Sequence, residues 1–171
     1  MVIPLYNRIR KQLHKDIALL QDEVVEIVYK VSPKAVLHGG TAVWRCFSGN
    51  RFSEDLDFYL FESIDFKKDF EKELDSHGLK LIKFKKTENA IYSKIESNNA
   101  VVRFEAALRE PPKHVVSSYE KFDGTTIDVF VVSLEELIIE KINAFINRRL
   151  VRDLYDIYFL TSKNIESKQL K

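Results

Sequence analysis

Asp55 and Asp57 stand two residues apart, and Leu56, Phe58 and Leu60 alternate with Asp55, Asp57 and Tyr59. That alternation predicts a strand with one apolar face and one acid-bearing face. Carboxylates at i and i+2 project together, near enough to share a pair of divalent ions about 4 Å apart. Upstream, Gly39-Gly40 lets the backbone approach an anion closely, and Thr41 reads as the N-cap of a helix ending near Gly49. Free N–H groups and the helix dipole favour phosphate at such a terminus. Moving a nucleotide from a triphosphate needs both devices: backbone donors around phosphates, and carboxylates that hold the metal ions at the oxygens of attack and departure. Alone, a double glycine marks a turn and alternating acids mark a solvated strand face. Together they define a candidate site.

The elements that must position these residues follow from hydrophobic spacing. Leu5, Ile9, Leu13, Ile17, Leu20, Val24, Ile27 and Val28 recur every three or four residues, which predicts one long amphipathic helix before Pro33. A short buried strand over 35–37 leads into the glycines. Phe66, Phe70 and Leu74 predict a helix closed by Gly78, followed by strands over 79–86, 90–97 and 100–108 with a hairpin turn at Asn98-Asn99. Pro111-Pro112 marks a loop, and Asp123-Gly124 turns one strand into another carrying Ile127 to Phe130. Ser133 and Glu136 form a capping-box pattern ahead of Leu137, Ile138, Lys141, Ile142 and Phe145. A last helix carries Leu154, Ile157, Tyr158 and Leu160, with a break expected within 147–151. The sheet is expected to be mixed or antiparallel, in one domain spanning 1–171. Within it, 1–132 form a helix-covered sheet with the catalytic core, and 133–171 form C-terminal helices.

The chain's 27 basic and 26 acidic residues leave a formal net charge of +1, so no global field draws it to nucleic acid or an anionic membrane. Any nucleic-acid site must be local. The single cysteine, Cys46, excludes an internal disulfide, and the amino terminus lacks the pattern of a secretory signal. A cytoplasmic location is expected, with no membrane partner, since no apolar run approaches the roughly 20 residues a bilayer requires. His14, His38, His77 and His114 show no ligand spacing with one another or with Cys46. His38 is read as structural.

The stretch Leu37-His38-Gly39-Gly40-Thr41-Ala42 through Arg51-Phe52-Ser53-Glu54-Asp55-Leu56-Asp57-Phe58 resembles the first motif of the polymerase-β nucleotidyltransferase superfamily. It is similar in particular to the AbiEii-type nucleotidyltransferases, toxin components of type IV toxin–antitoxin and abortive-infection systems. Arg103-Phe104-Glu105 resembles their third-carboxylate motif. Glu140-Lys141-Ile142-Asn143-Ala144 resembles their helical motif, and Arg148-x-x-x-Arg152-Asp153-x-x-Asp156 their last. The resemblance covers roughly residues 36–160. The family usually shows Lys-x-Asp where this chain has Arg103-x-Glu105, and its members commonly run on past the last motif. Acceptor binding is therefore expected to differ.

The resemblance implies an α+β fold with a polymerase-β-like nucleotidyltransferase core. It also implies a metal-dependent enzyme that moves a nucleoside monophosphate from an NTP to an acceptor hydroxyl, suggested to be RNA or a tRNA end. Mg2+ or Mn2+ would be held by Asp55, Asp57 and Glu105. Asp128, also flanked by apolar residues on a strand, is a rival third ligand. Gly39, Gly40, Thr41 and Lys141 would secure the triphosphate, and Arg148 and Arg152 would fork onto phosphates. Arg51 and Ser53 either meet phosphate oxygens or stabilise the turn. Asp153 and Asp156 either orient Arg152 and Lys141 or serve as first-turn acids of a helix. A separately encoded antitoxin is an expected partner. The alternative is a nucleotide- or partner-binding module with this fold and little transfer activity.

Overall fold

A computed structural model of the chain describes residues 4–61 and 66–169. The expected long N-terminal helix is two helices, α1 (Leu5–Arg8) and α2 (Gln12–Val31). Ile9 and Lys11 are extended between them, at ψ 120° and 131°. The apolar stripe misled because it crosses the break. Leu5 and Ile9 are buried against Ala18 and Trp44 in a small cluster of their own, whereas α2 buries Ile17, Leu20, Val24, Ile27 and Val28 in the main core.

Beyond α2 come β1 (Val36–His38), α3 (Gly39–Cys46), β2 (Leu56–Tyr59), α4 (Phe66–Ser76), β3 (Lys80–Lys86), β4 (Ala90–Glu96) and β5 (Val101–Ala107). Then follow β6 (His114–Glu120), β7 (Thr126–Val132), α5 (Leu134–Arg148) and α6 (Val151–Gln169). The strands form one mixed sheet in the order β3-β4-β5-β2-β1-β7-β6. β2 lies parallel to β5 and antiparallel to β1, and β1 lies parallel to β7.

Alternation along the central strands sorts the two faces. One face buries Leu37, Leu56, Phe58, Phe104 and Val131 at 0% exposure. Against it α2 brings Tyr29 onto Phe58, and α4 brings Phe66 and Phe70 onto Phe104 with centroids 6.0 and 5.3 Å apart. Each such ring contributes about 1.5–3 kcal/mol by burial. The other face carries His38, Asp57 and Glu105, which no apolar helix can cover without leaving charges unpaired. α5 and α6 pack on each other and border this face beside β1 and β2. α5 starts as its capping box predicts, with Ser133 accepting from the Glu136 amide. It ends at Arg149, which takes the left-handed conformation at φ 53°.

Candidate active site

β1 and β2 set the floor. His38 pairs with Asp57 across β1 and β2, and Asp57 pairs with Glu105 across β2 and β5, so register alone places the third carboxylate beside the second. Asp55 lies on the same side, immediately before β2. These acids line a cleft of about 530 Å³ with Gly39, Gly40, Arg51, Ser53, Lys141, Arg148 and Arg152. Asp128 stands exposed on β7, opposite Ser118, whose hydroxyl donates to it at 3.3 Å. It does not line the cleft.

The glycine loop is shaped by close approach. Gly39 has φ +73°, and a Cβ there would lie 2.2 Å from Asp57 Oδ2. A Cβ on Gly40 would lie 2.5 Å from Ser53 Oγ and 3.0 Å from Arg51 Nη2. α3 begins at Gly39 with His38 as its flanking residue, so Thr41 is not the N-cap expected from sequence. Thr41 is fully buried, and its hydroxyl instead donates to the Asp55 carbonyl, tying the loop to the acid strand.

Opposite the acids, α5 and α6 hold the cations. Asp156 accepts from Arg51 Nε and Nη2 at 3.0 and 2.7 Å and meets Lys141 Nζ at 2.9 Å. Asp153 accepts from Arg148 Nε and Nη2 at 2.7 and 2.6 Å. The two aspartates therefore brace Lys141, Arg51 and Arg148. The expectation that one of them braces Arg152 is corrected, because the left-handed turn at Arg149 swings Arg148 back onto Asp153. The same turn separates the cations, with Lys141 and Arg148 on α5 and the exposed Arg152 on α6.

Residues that periodicity left aside complete the site. Tyr59 donates to Glu140 Oε1 at 2.7 Å, Arg109 donates to the Tyr59 oxygen at 3.3 Å, and the His38 ring stacks on Tyr59 with centroids 4.3 Å apart. His38 Nδ1 lies 3.3 Å from Glu140 Oε2. His38 thus lines the site wall, where Tyr59 and Glu140 hold its ring. Burial and the hydrogen bond to Glu140 push the Tyr59 hydroxyl up to about 12. Burial also pushes Glu140 up, but the hydrogen bonds and charge of His38 and the Tyr59 hydroxyl outweigh it, leaving the carboxyl below its ordinary value.

The acids at the floor are crowded. Burial raises Asp57, and His38 offsets this only in part while Asp55 adds to it. Glu105 is raised by burial and then by Asp57 and Asp55. Such a set favours any arriving cation. Among the described residues no three His, Cys, Asp or Glu side chains already converge as a metal nest. Asp55 explains this, since Arg103 Nε and Nη2 hold its two oxygens at 2.8 and 2.7 Å. That pair is open to water, at 55% and 31% exposure, and is worth only about 0–1 kcal/mol. A divalent ion displaces such a pair cheaply, so the donor set fits a hard cation.

Solved structures define the class of fold. A crystal structure described as a putative nucleotidyltransferase from Helicobacter pylori superposes with a TM-score of 0.65 at 23% identity, covering 90% of this chain and 70% of that one. JHP933 from Helicobacter pylori gives 0.63 at 24%, with 85% of this chain and 66% of that chain covered. ANT(2")-Ia in complex with adenylyl-2"-tobramycin gives 0.54 at 12%, with 90% and 92% covered. The chain thus spans about two thirds of the length of the two Helicobacter proteins and nearly all of the third. A search of curated proteins returned no significant match. The profile of the AbiEii nucleotidyl transferase toxins of type IV toxin–antitoxin systems matches residues 28–171, and the chain belongs to that family. No helix among the described residues is long and apolar enough to cross a membrane.

Proposed function

We propose that the protein is a metal-dependent nucleotidyltransferase that joins a nucleoside monophosphate from an NTP to an acceptor hydroxyl on RNA, such as a tRNA end. In this reading it is the toxin of a cytoplasmic toxin–antitoxin pair. The observation that carries the reading is the row of Asp57 and Glu105 in register beside Asp55, facing cations braced by Asp153 and Asp156. Asp55, Asp57 and Glu105 would hold Mg2+ or Mn2+, which when bound supplies positive charge to the oxygens of attack and departure. Lys141, Arg51 and Arg148 would neutralise the triphosphate, and the Gly39-Gly40 amides would receive its phosphate oxygens.

The acceptor oxygen bonds to the α-phosphorus, and the bond from that phosphorus to the oxygen bridging the α- and β-phosphates breaks, so that oxygen leaves with pyrophosphate. Glu105 takes the hydroxyl proton. Its place in register beside Asp57, on the acid-bearing face of the sheet, suits that role. A second reading, nucleotide binding with little transfer, draws support from Arg103, whose guanidinium competes for Asp55. Incubation with each α-labelled NTP, Mg2+ or Mn2+ and total RNA separates the two. Transfer puts label on RNA and releases pyrophosphate. An NTP-dependent rise in melting temperature with no pyrophosphate supports the binding module.

A further inference from the structure

The acids separate two basic surfaces. One is the wall of Arg51, Lys141 and Arg148, with the glycine loop beside it. The other is the sheet itself, which continues past Glu105 through β4 to β3. Register sets Lys85, Tyr92, Glu105, Asp57 and His38 in one row across five strands, and Lys83, Lys94 and Arg103 in the next. Lys83, Lys85, Tyr92 and Lys94 are exposed. With Arg103 and Glu105 they line a shallow depression that joins the active-site cleft through those last two residues.

Like charges directly opposite one another weaken a strand pair. Lys94 nonetheless faces Lys83 on one side and Arg103 on the other, and Lys83, Lys85 and Lys94 have no ion-pair partner among the described residues. Lysines on an edge strand guard against edge-to-edge pairing, which accounts for β3. That reason does not reach β4, which is flanked on both sides, so Lys94 and the exposed Tyr92 need another.

We propose that the β3–β5 face binds the terminal nucleotides of a single-stranded polynucleotide, with Tyr92 stacking on a base and Lys83, Lys85 and Lys94 on phosphates. The end hydroxyl is thereby delivered to Glu105. This rests on the transfer reading above. One triphosphate cannot use both basic surfaces, since it is held on the far side of the acids. Cations around an aromatic ring on an open sheet suit bases and phosphates together. An acidic peptide would leave the ring without a planar partner. From β5 to β3 the track runs ~10 Å, two strand spacings.

The test is fluorescence anisotropy of short labelled oligouridine and oligodeoxythymidine over a range of salt, with wild type, Lys83→Gln/Lys94→Gln, Tyr92→Ala and Tyr92→Trp. The lysine double variant is expected to bind about tenfold or more weakly, with a log–log salt slope shallower by about 1.4, because two phosphate contacts are lost. Tyr92→Ala is expected to lose at least about fivefold without a change of slope, and Tyr92→Trp to retain binding. Melting-temperature rises with NTP and Mg2+ stay as in wild type. Preference for the RNA oligomer assigns the 2′-hydroxyl a part in recognition, and equal binding assigns recognition to base and phosphate alone; both support the face. Binding needs no turnover, so oligomer affinity that responds to these variants in a protein without transfer sinks the transfer reading and leaves the face. The proposal is overturned if wild type binds neither oligomer, or if the variants bind as wild type with the same slope. It is also overturned if label goes to a protein acceptor and the oligomers fail to compete.

Discussion

Asp156→Ala tests how the phosphate-side cations are held. Asp156 and Lys141 are 1% and 7% exposed and 2.9 Å apart, while Arg51, at 28%, keeps contact with water. Removing the aspartate leaves the Lys141 ammonium buried without its counter-charge, which costs about 3–5 kcal/mol. Arg51 rehydrates and adds little. In a domain of this size each kcal/mol shifts the melting temperature by about 2–4 °C, so the loss is roughly 6–20 °C. Thermal unfolding followed by circular dichroism, with urea titration beside it, measures this. The companion is Lys141→Met/Asp156→Leu, in which both charges are gone. That pair should unfold within about 1 kcal/mol of wild type, because an apolar pair replaces a buried ion pair at little cost. It should still lose NTP affinity, since Lys141 is absent. The reasoning is refuted if Asp156→Ala costs less than about 1 kcal/mol, or if the double variant is as unstable as the single one.

Asp57→Asn is expected to abolish transfer yet unfold at or slightly above the wild-type temperature without metal, as it relieves a crowded carboxylate; pyrophosphate release and thermal scans check both halves. Glu105→Gln should remove most turnover, whereas Asp128→Asn should leave it and cost at most about 1 kcal/mol; the reverse ranking moves the third ligand to β7. Gly40→Val should weaken NTP binding in calorimetric titration, since its Cβ would push Ser53 and Arg51 from the loop; unchanged affinity in a folded variant excludes the phosphate cradle. For pH, the folded pKa values of Asp57 and Glu105 lie above their unfolded ones, so the folded state holds more protons there. Their contribution to stability therefore falls as pH rises from about 4 through the raised values. Mg2+ should restore it, raising the melting temperature more at pH 8 than at pH 5, and not in Asp57→Asn.

The chemistry legible in the sequence was the part encoded locally. Asp55 and Asp57 share a face because the strand period is two, and the glycine pair announces a close approach. Glu105 was assigned by its place in a family order, and strand register then set it beside Asp57. His38, Tyr59 and Arg109 could not be read, because what joins them is pairing across β1, β2 and the chain end of β5, and no local pattern encodes such pairing. A signal for His38 was present in its position directly before Gly39, at the end of a strand. The N-terminal break was hidden because the apolar spacing runs on across it, from Leu5 and Ile9 into α2, although Leu5 and Ile9 bury themselves on Trp44 instead of the main core. Arg148 rather than Arg152 met Asp153 because one left-handed residue reversed the chain, and arginine is not a residue that advertises such a turn.

The carboxylates that brace Arg51, Lys141 and Arg148 both sit in α6, which follows each of those cations in the chain. The acid floor, the glycine loop and the cations themselves are all synthesised earlier. A nascent chain stopped before residue 151 has the acid floor and the glycine loop, but its Lys141 lacks the Asp156 counter-charge, and Arg51 and Arg148 lack their carboxylate partners. Such a fragment is food for proteases before it is a transferase. The cations that face the acid floor are therefore fixed in place only once translation has run through Asp156.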